Sequence, residues 1–82
     1  MKMSHKVTVY GKAECCLCDE AMEVLQQAQR RIAFDIEKID ITEDPDLFVR
    51  YQFSIPVILV DGRMAFKHRV DRERLTALLT GG

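Results

Sequence analysis

Hydrophobic and polar positions alternate or recur along the chain in patterns that predict interleaved strands and helices. The first run, Lys6 to Tyr10, alternates two valines with a threonine and a tyrosine, which is typical of a strand inside a sheet. Gly11 ends this strand. From Cys16 to Arg31 the spacing is helical, and it predicts one amphipathic helix. Its apolar stripe consists of Leu17, Ala21, Val24, Leu25, Ala28 and Ile32.

A second strand is predicted from Phe34 to Thr42. Its apolar residues change phase at Glu37-Lys38, which indicates either a β-bulge or a strand whose exposed face changes along its length. Its many charged residues favour a position at the edge of the sheet. Strand, helix and strand in this order predict a right-handed βαβ unit with parallel strands.

A short helix is predicted after the second strand. Asp44 suits the N-cap and Pro45 the first helical position, and the helix should end near Tyr51. We expect it to bury Leu47 and Phe48.

A hairpin is predicted in the last third of the chain. The third strand, Val57 to Val60, precedes Asp61-Gly62, which is a strong signal for a two-residue turn. The returning strand, Arg63 to Phe66, should place Met64 and Phe66 on one face. A closing helix follows.

The closing helix runs from Asp71 to Leu79, with Asp71 as its cap. The complete order is βαβαββα, which predicts an α/β fold with a four-stranded mixed sheet and helices on both of its faces. The 82 residues suit one domain, residues 1–82.

Composition narrows the functional classes. Hydrophobic residues make up 48% and charged residues 30%, which is ordinary for a soluble domain. A net charge of −1 gives no basic surface for nucleic acid or anionic lipid. The longest apolar run, Ile55 to Val60, is far too short to span a membrane. We therefore expect a monomer without nucleic-acid or membrane partners.

Two features indicate a reducing compartment. Residues Met1 to Lys6 contain no apolar segment typical of a secretory signal. The three cysteines lie within four residues, Cys15 to Cys18, and cannot connect distant parts of the chain as disulfides do in secreted proteins. A cytoplasmic location is expected.

Cys15 and Cys18 form a Cys-x-x-Cys pair at the point where a strand gives way to a helix. This context predicts a redox-active dithiol. Cys15 should be the nucleophile, because unpaired N–H groups at a helix start stabilise a thiolate. Cys18, one turn into the helix, suits the resolving role. Lys12 adds positive charge to Cys15 if its amine turns inward; otherwise it is an exposed loop lysine.

Other interpretations of the cysteines remain open at this point. The alternative interpretation is a pair of structural thiols or half of a zinc site, for which Cys16, His5 and His68 are the other candidate ligands. Cys16 itself is a spectator, a site of glutathionylation or a metal ligand.

The whole chain resembles the thioredoxin fold in its minimal form, and within it the small glutaredoxin-like proteins. The resemblance rests on the segment from Tyr10 to Cys18, on Ile55-Pro56 just before the third strand, and on Asp61-Gly62. It implies a cis peptide bond before Pro56 and a position of Pro56 against the dithiol. It also implies catalytic roles for Cys15 and Cys18, and substrate contacts from Lys12, Ile55 and Pro56.

The chain departs from the glutaredoxin pattern at two places. Glutaredoxins carry a Gly-Gly pair after the returning strand and then an Asp that holds glutathione, whereas here Phe66 to Asp71 contains no glycine. The close backbone approach that glycine allows is lost, which weakens the expectation of glutathione binding. Asp71 is first a helix cap. Between the cysteines stand Cys16-Leu17, where glutaredoxins favour Pro-Tyr and thioredoxins Gly-Pro.

These features predict a thiol–disulfide oxidoreductase that reduces protein or glutathione mixed disulfides. It needs no bound cofactor, glutathione is a possible co-substrate, and a reductase system supplies the electrons. One alternative is a protein that binds zinc or an iron–sulfur cluster through its cysteines. The other is a thioredoxin-like adaptor without catalysis, which docks a partner through a local basic cluster. That cluster consists of Lys67, His68, Arg69, Arg72 and Arg74.

Overall fold

The predicted order of elements is confirmed. The computed structural model describes residues 5–80. Most of the N-terminal segment in which the sequence shows no secretory signal, residues 1–4, lies outside the described residues. The elements are β1 (His5–Gly11), α1 (Cys16–Gln29), β2 (Phe34–Asp40), a 3-10 turn (Ile41–Glu43), α2 (Pro45–Tyr51), β3 (Val57–Val60), β4 (Arg63–Lys67) and α3 (Arg72–Leu79). Within the described part, no helix is both long and apolar enough to cross a membrane.

The four strands form one mixed sheet in the order β2-β1-β3-β4. β1 pairs with β2 in parallel and with β3 in antiparallel fashion, and β4 pairs antiparallel with β3. The interior position predicted for β1 and the edge position predicted for β2 are both confirmed.

β2 keeps an unbroken register with β1, from His5 opposite Phe34 to Gly11 opposite Asp40. The alternative of a bulge in β2 is therefore wrong, and the strand changes its exposed face instead. It also ends at Asp40, before the predicted end at Thr42. The Asp40 carboxylate accepts hydrogen bonds from the backbone N–H and the hydroxyl of Thr42, at 2.9 and 2.6 Å, which turns the chain out of the sheet.

A β-bulge lies in β4, where no irregularity was predicted. Ile58 is opposite Phe66 and Leu59 is opposite Met64, so Ala65 is the extra residue. Because the bulge breaks the two-residue alternation, Phe66 is buried while Met64 is 49% exposed. The prediction that Met64 and Phe66 share a face is wrong for this reason.

The main core lies between one face of the sheet and the helices α1 and α3. Its buried members are Val7, Val9, Ala21, Leu25, Phe34, Ile58, Val60, Phe66, Leu75 and Leu79. α2 packs on the opposite face, where Tyr51 stacks on Tyr10 with ring centroids 5.0 Å apart. Helices on both faces are confirmed, and with them the α/β architecture.

The start of α2 is as predicted, but its burial is not. Asp44 caps the helix by accepting from the N–H groups of Asp46 and Leu47. The seven-residue helix contacts the rest of the protein through Leu47 and Tyr51, which are four residues apart and share a face. Phe48 points away from that face and is 36% exposed, so its predicted burial is wrong.

Leu25 is the main anchor of α1 in the core, because it has no exposed surface. We expect Leu25→Ala to lower the free energy of unfolding by about 2–5 kcal/mol, the cost of a buried cavity. Val49→Ala, at a position 74% exposed on α2, should change it by no more than about 0.5 kcal/mol. Urea denaturation followed by circular dichroism measures both, and equal losses in the two variants would contradict this core.

Candidate active site

Cys15 is the N-cap of α1, the last residue with extended backbone before the helix begins. Its Sγ accepts a hydrogen bond from the backbone N–H of Cys18 at 3.3 Å. A sulfur atom thus occupies the place where an oxygen usually satisfies the free N–H groups of a first turn. Cys15 is half-buried, so part of the residue lies at the protein surface.

Cys18 lies inside the first turn of α1 and has no exposed surface. Its Sγ donates a hydrogen bond to the Sγ of Cys15, and the two sulfur atoms are 2.6 Å apart. Both cysteines are free thiols, and Cys16 between them is exposed. The pair therefore consists of a half-buried thiol at the helix start and a fully buried thiol in contact with it.

Burial gives the Cys18 thiol a higher pKa than that of an ordinary thiol. Loss of solvent, together with the hydrogen bond to Cys15, raises the pKa of Cys18 to about 11. A backbone hydrogen bond from Lys12 and the positive charge of Lys38 on β2 act in the opposite direction. Near neutral pH the Cys18 thiol keeps its proton, so it is unsuited to make the first attack on a substrate.

Gly11 allows Cys18 to lie this deep. A Cβ atom at Gly11 would be 2.9 Å from the Sγ of Cys18, closer than two such atoms approach in proteins. Gly11 was predicted to end β1, but it belongs to the strand and pairs with Asp40. Its role is to leave room for the sulfur. A glycine inside a strand is a general sign of such close approach.

Ile55 lies beside the dithiol, and the peptide bond between Ile55 and Pro56 is cis, as the resemblance implied. Ile55 and Cys18 belong to one small buried cluster, against which Cys15 packs. Pro56 is fully buried. β3 begins only at Val57, so the Ile55 peptide precedes the paired strand.

The structure brings Cys15, Cys18 and Ile55 together, whereas Lys12 stays at the surface. Its side chain is exposed, and its contribution to the dithiol is its backbone N–H. The positive side chain that lowers the pKa of Cys18, as the smallest of the contributions to it, is that of Lys38, which the sequence did not indicate. Asp71 caps α3 by accepting from the N–H groups of Glu73 and Arg74, as predicted.

A metal site is the other chemistry that cysteines can provide. Within residues 5–80, no three side chains from His, Cys, Asp and Glu are grouped closely enough to serve as ligands to one ion. His5 instead hydrogen-bonds to Asp61 through its Nδ1, at 2.5 Å.

One protein-family model matches nearly the whole chain. The family model described as "Glutaredoxin-like domain (DUF836)" matches residues 6–80. The chain therefore belongs to the glutaredoxin-like domain family DUF836.

Two relatives illustrate the range of the similarity. The chain is 30% identical over 78 residues to "Glutaredoxin-like protein YDR286C homolog" of Dictyostelium discoideum, covering 88% of this chain and 72% of the relative. It is 32% identical over 73 residues to "Probable Thioredoxin" of Methanothermobacter marburgensis, covering 85% and 86%.

Solved structures agree with the fold. Protein Ne2328 from Nitrosomonas europaea is 26% identical with a TM-score of 0.83, covering 96% of this chain and 95% of that one. XcR50 from X. campestris is 32% identical with a TM-score of 0.76, covering 93% and 97%. A thioredoxin from Halobacterium salinarum, 19% identical with a TM-score of 0.65 over 95% of this chain and 74% of that one, shares the fold alone. The protein has a thioredoxin-like α/β fold.

A methyl group at Gly11 should displace the sulfur of Cys18. We expect Gly11→Ala to slow formation of the Cys15–Cys18 disulfide at least about tenfold and to destabilise the protein by about 1–3 kcal/mol through overpacking. Gly62→Ala is the control, because its φ of 85° carries a backbone cost while the added Cβ meets open space. Oxidation by oxidised dithiothreitol, quenched by alkylation, measures the rate. Wild-type kinetics in Gly11→Ala would refute the role of Gly11.

Burial and the raised pKa should both protect Cys18 from alkylation. In native reduced protein at pH 7.5, we expect iodoacetamide to modify Cys15 and Cys16 and to leave Cys18 largely unmodified. In urea all three should react. Mass spectrometry of tryptic peptides measures this, and the thiolate of Cys18 should become significant only as the pH approaches 11. Native modification of Cys18 as fast as that of Cys16 would contradict the site described.

Proposed function

We propose that this protein is a thiol–disulfide oxidoreductase that uses Cys15 and Cys18 as its reacting pair. The observation that carries the proposal is the direct contact between the sulfur of half-buried Cys15 at a helix start and the sulfur of fully buried Cys18 behind it. The family of the chain and its similarity to a protein named a probable thioredoxin support the same class of reaction.

The reaction proceeds in two exchanges. The Cys15 thiolate attacks one sulfur of a substrate disulfide, a Cys15–substrate disulfide forms, and the other substrate sulfur leaves as a thiolate. Cys18 then loses its proton and attacks the Sγ of Cys15, which closes the Cys15–Cys18 disulfide and releases the second substrate thiol. Two electrons pass from the protein to the substrate.

The surroundings of the pair fit each step. The backbone N–H of Cys18 donates to the Sγ of Cys15, the sulfur that reacts in both exchanges. Lys38 and the backbone N–H of Lys12 favour the thiolate of Cys18 when it is needed. Attack by Cys18 requires little movement, because its Sγ already contacts Cys15.

The substrate side of the pair is formed by Ile55 and Pro56. The Ile55 peptide precedes the paired part of β3, so its N–H and C=O are suited to an extended substrate segment that lies beside Cys15. Substrates of this description are protein disulfides and glutathione mixed disulfides. The oxidised protein is restored by two electrons from glutathione or from a thioredoxin-reductase-type donor, as expected in a cytoplasmic setting.

Turnover assays with three matched serine variants test the proposal. One assay couples glutathione, glutathione reductase and NADPH to reduction of a glutathione mixed disulfide, and the other couples thioredoxin reductase to a protein disulfide. We expect Cys15→Ser to lose at least about a hundredfold in both, because no nucleophile remains. Cys16→Ser should leave both rates unchanged.

Cys18→Ser should accumulate the Cys15–substrate mixed disulfide and stop turning over protein disulfides. Full activity of Cys18→Ser on protein disulfides would exclude the two-cysteine mechanism. Activity that survives Cys15→Ser would exclude the proposed function altogether.

A further inference from the structure

The helix α2 is attached to the rest of the protein by few side chains. It has seven residues, all of them described by the structure, and none of them is buried. Its contacts with the neighbouring elements come from the partly buried side chains of Leu47 and Tyr51. Because so short a helix does not persist by itself in water, its position depends on these two side chains.

Leu47 and Tyr51 pack against a small cluster that contains the buried cysteine. We name it the cysteine cluster, and its buried members are Cys18, Ile41 and Ile55. Tyr10 of β1 packs against the same cluster. The side chains of Tyr10, Leu47 and Tyr51 therefore form a cover of the cysteine cluster, and two of these three side chains are aromatic.

The two aromatic side chains of the cover stack on each other. The ring centroids of Tyr10 and Tyr51 are 5.0 Å apart, and their planes are 15° from parallel. Stacked aromatic pairs contribute more to stability than the apolar area they bury. Tyr10 belongs to β1, which lies inside the sheet between β2 and β3, so it provides a fixed surface on which the Tyr51 ring rests.

The cover matters because exclusion of water determines the state of the Cys18 thiol. Cys18 has no exposed surface, and loss of solvent is the largest cause of its raised pKa. The ionisable side chains that act on it are those of Cys15 on α1 and Lys38 on β2. The phenols of Tyr10 and Tyr51 are the ionisable groups of the cover. If the cover opened, water would reach Cys18 and its pKa would fall towards that of an ordinary thiol.

We propose that Tyr51 is a positioning residue for the resolving cysteine: by stacking on Tyr10, its ring holds α2 against the cysteine cluster and keeps water away from Cys18. The proposal rests on the oxidoreductase function proposed above, because it assigns how the second thiol of that reaction is protected. With the cover closed, Cys18 reacts only with the Cys15 sulfur that it already contacts. The ring performs this role, and the hydroxyl group is dispensable.

Alkylation of Cys18 measures the cover directly. The parent protein for this experiment carries Cys15→Ser and Cys16→Ser, so that iodoacetamide reacts only with Cys18. Tyr51→Ala in this parent should increase the rate at pH 7.5 at least about tenfold, because water and reagent reach the sulfur. The mass of the intact protein follows the reaction. The pH at which the rate is half-maximal should shift downward, towards the ordinary thiol value of about 8.5.

Three further variants make the measurement specific to the ring. Tyr51→Phe keeps the ring and loses the hydroxyl group, and it should react as slowly as the parent. Tyr51→Leu keeps an apolar side chain that cannot stack on Tyr10, and it should react as fast as Tyr51→Ala; it provides the same test if Tyr51→Ala does not fold. Val49→Ala changes the same helix at a position that is 74% exposed, and it should keep the parent rate.

Leu25→Ala distinguishes loss of the cover from loss of overall stability. Leu25 belongs to the main core, whereas Tyr51 packs against the cysteine cluster. Under conditions in which circular dichroism shows every variant to be folded, Leu25→Ala should keep the parent rate and its pH dependence. Equal acceleration by Leu25→Ala and Tyr51→Ala would overturn the proposal. An unchanged rate in Tyr51→Ala, or a rate in Tyr51→Phe as high as in Tyr51→Ala, would overturn it too.

The equilibrium of the Cys15–Cys18 disulfide provides a readout in the reaction itself. The protein with all three cysteines is oxidised by oxidised dithiothreitol, which takes up two electrons and two protons as the protein disulfide forms. In Tyr51→Ala the Cys18 thiolate stabilises the dithiol wherever the pH exceeds its lowered pKa. Near pH 9.5 the equilibrium constant for oxidation should therefore fall at least about threefold relative to wild type and to Tyr51→Phe. At pH 7 it should not change, because Cys18 keeps its proton in every variant.

The two proposals fail in distinguishable ways. If no Cys15–Cys18 disulfide forms in the wild-type protein, the oxidoreductase function fails, whatever the alkylation rates are. If the disulfide forms and Tyr51→Ala changes neither the alkylation of Cys18 nor the equilibrium near pH 9.5, only the role of Tyr51 is overturned.

Discussion

The close approach of the Cys18 sulfur to β1 is the constraint on which the rest of this site depends. The sulfur lies where a side chain at Gly11 would be, and this contact sets how near the first turn of α1 comes to the sheet. Cys15, three residues earlier, is thereby placed at the helix start with its sulfur against that of Cys18. A residue larger than glycine at position 11 would separate the strand from the helix that carries both cysteines.

The difference in burial between Cys15 and Cys18 makes these two identical side chains behave differently. Cys15 caps the helix and remains accessible, whereas Cys18 has no exposed surface and a pKa raised to about 11. Within the described residues, no polar or charged residue is buried. In the proposed reaction, the proton acceptor for Cys18 therefore comes from outside the core, and the departing substrate thiolate can serve as that acceptor.

Much of this arrangement was predictable from the sequence, because local signals dominate it. Helix caps at Cys15, Asp44 and Asp71 and the Asp61-Gly62 turn depend on short stretches of chain, and all of them are present. The misses arise from tertiary packing. The bulge at Ala65 reverses the faces of Met64 and Phe66, and it depends on how β4 meets β3.

The same limit applies to the site. A Cys-x-x-Cys pair between a strand and a helix identifies the dithiol, but the reason for Gly11 appears only when the opposing sulfur is located. Lys38 is distant in sequence from the cysteines, and parallel pairing of β2 with β1 brings its charge to Cys18. In the sequence, His68 is one member of a basic cluster. In the structure, its positive φ and its hydrogen bond to the C=O of Pro56 distinguish it from the other members.

In the proposed function, Cys15 and Cys18 interconvert between dithiol and disulfide as one unit. Equilibration of the wild-type protein in dithiothreitol redox buffers of graded potential, followed by acid quenching, alkylation and peptide mass analysis, tests it most directly. We expect one reversible two-electron transition in which Cys15 and Cys18 become linked and Cys16 stays free. Absence of an intramolecular disulfide at every potential, or a disulfide that includes Cys16, would contradict it.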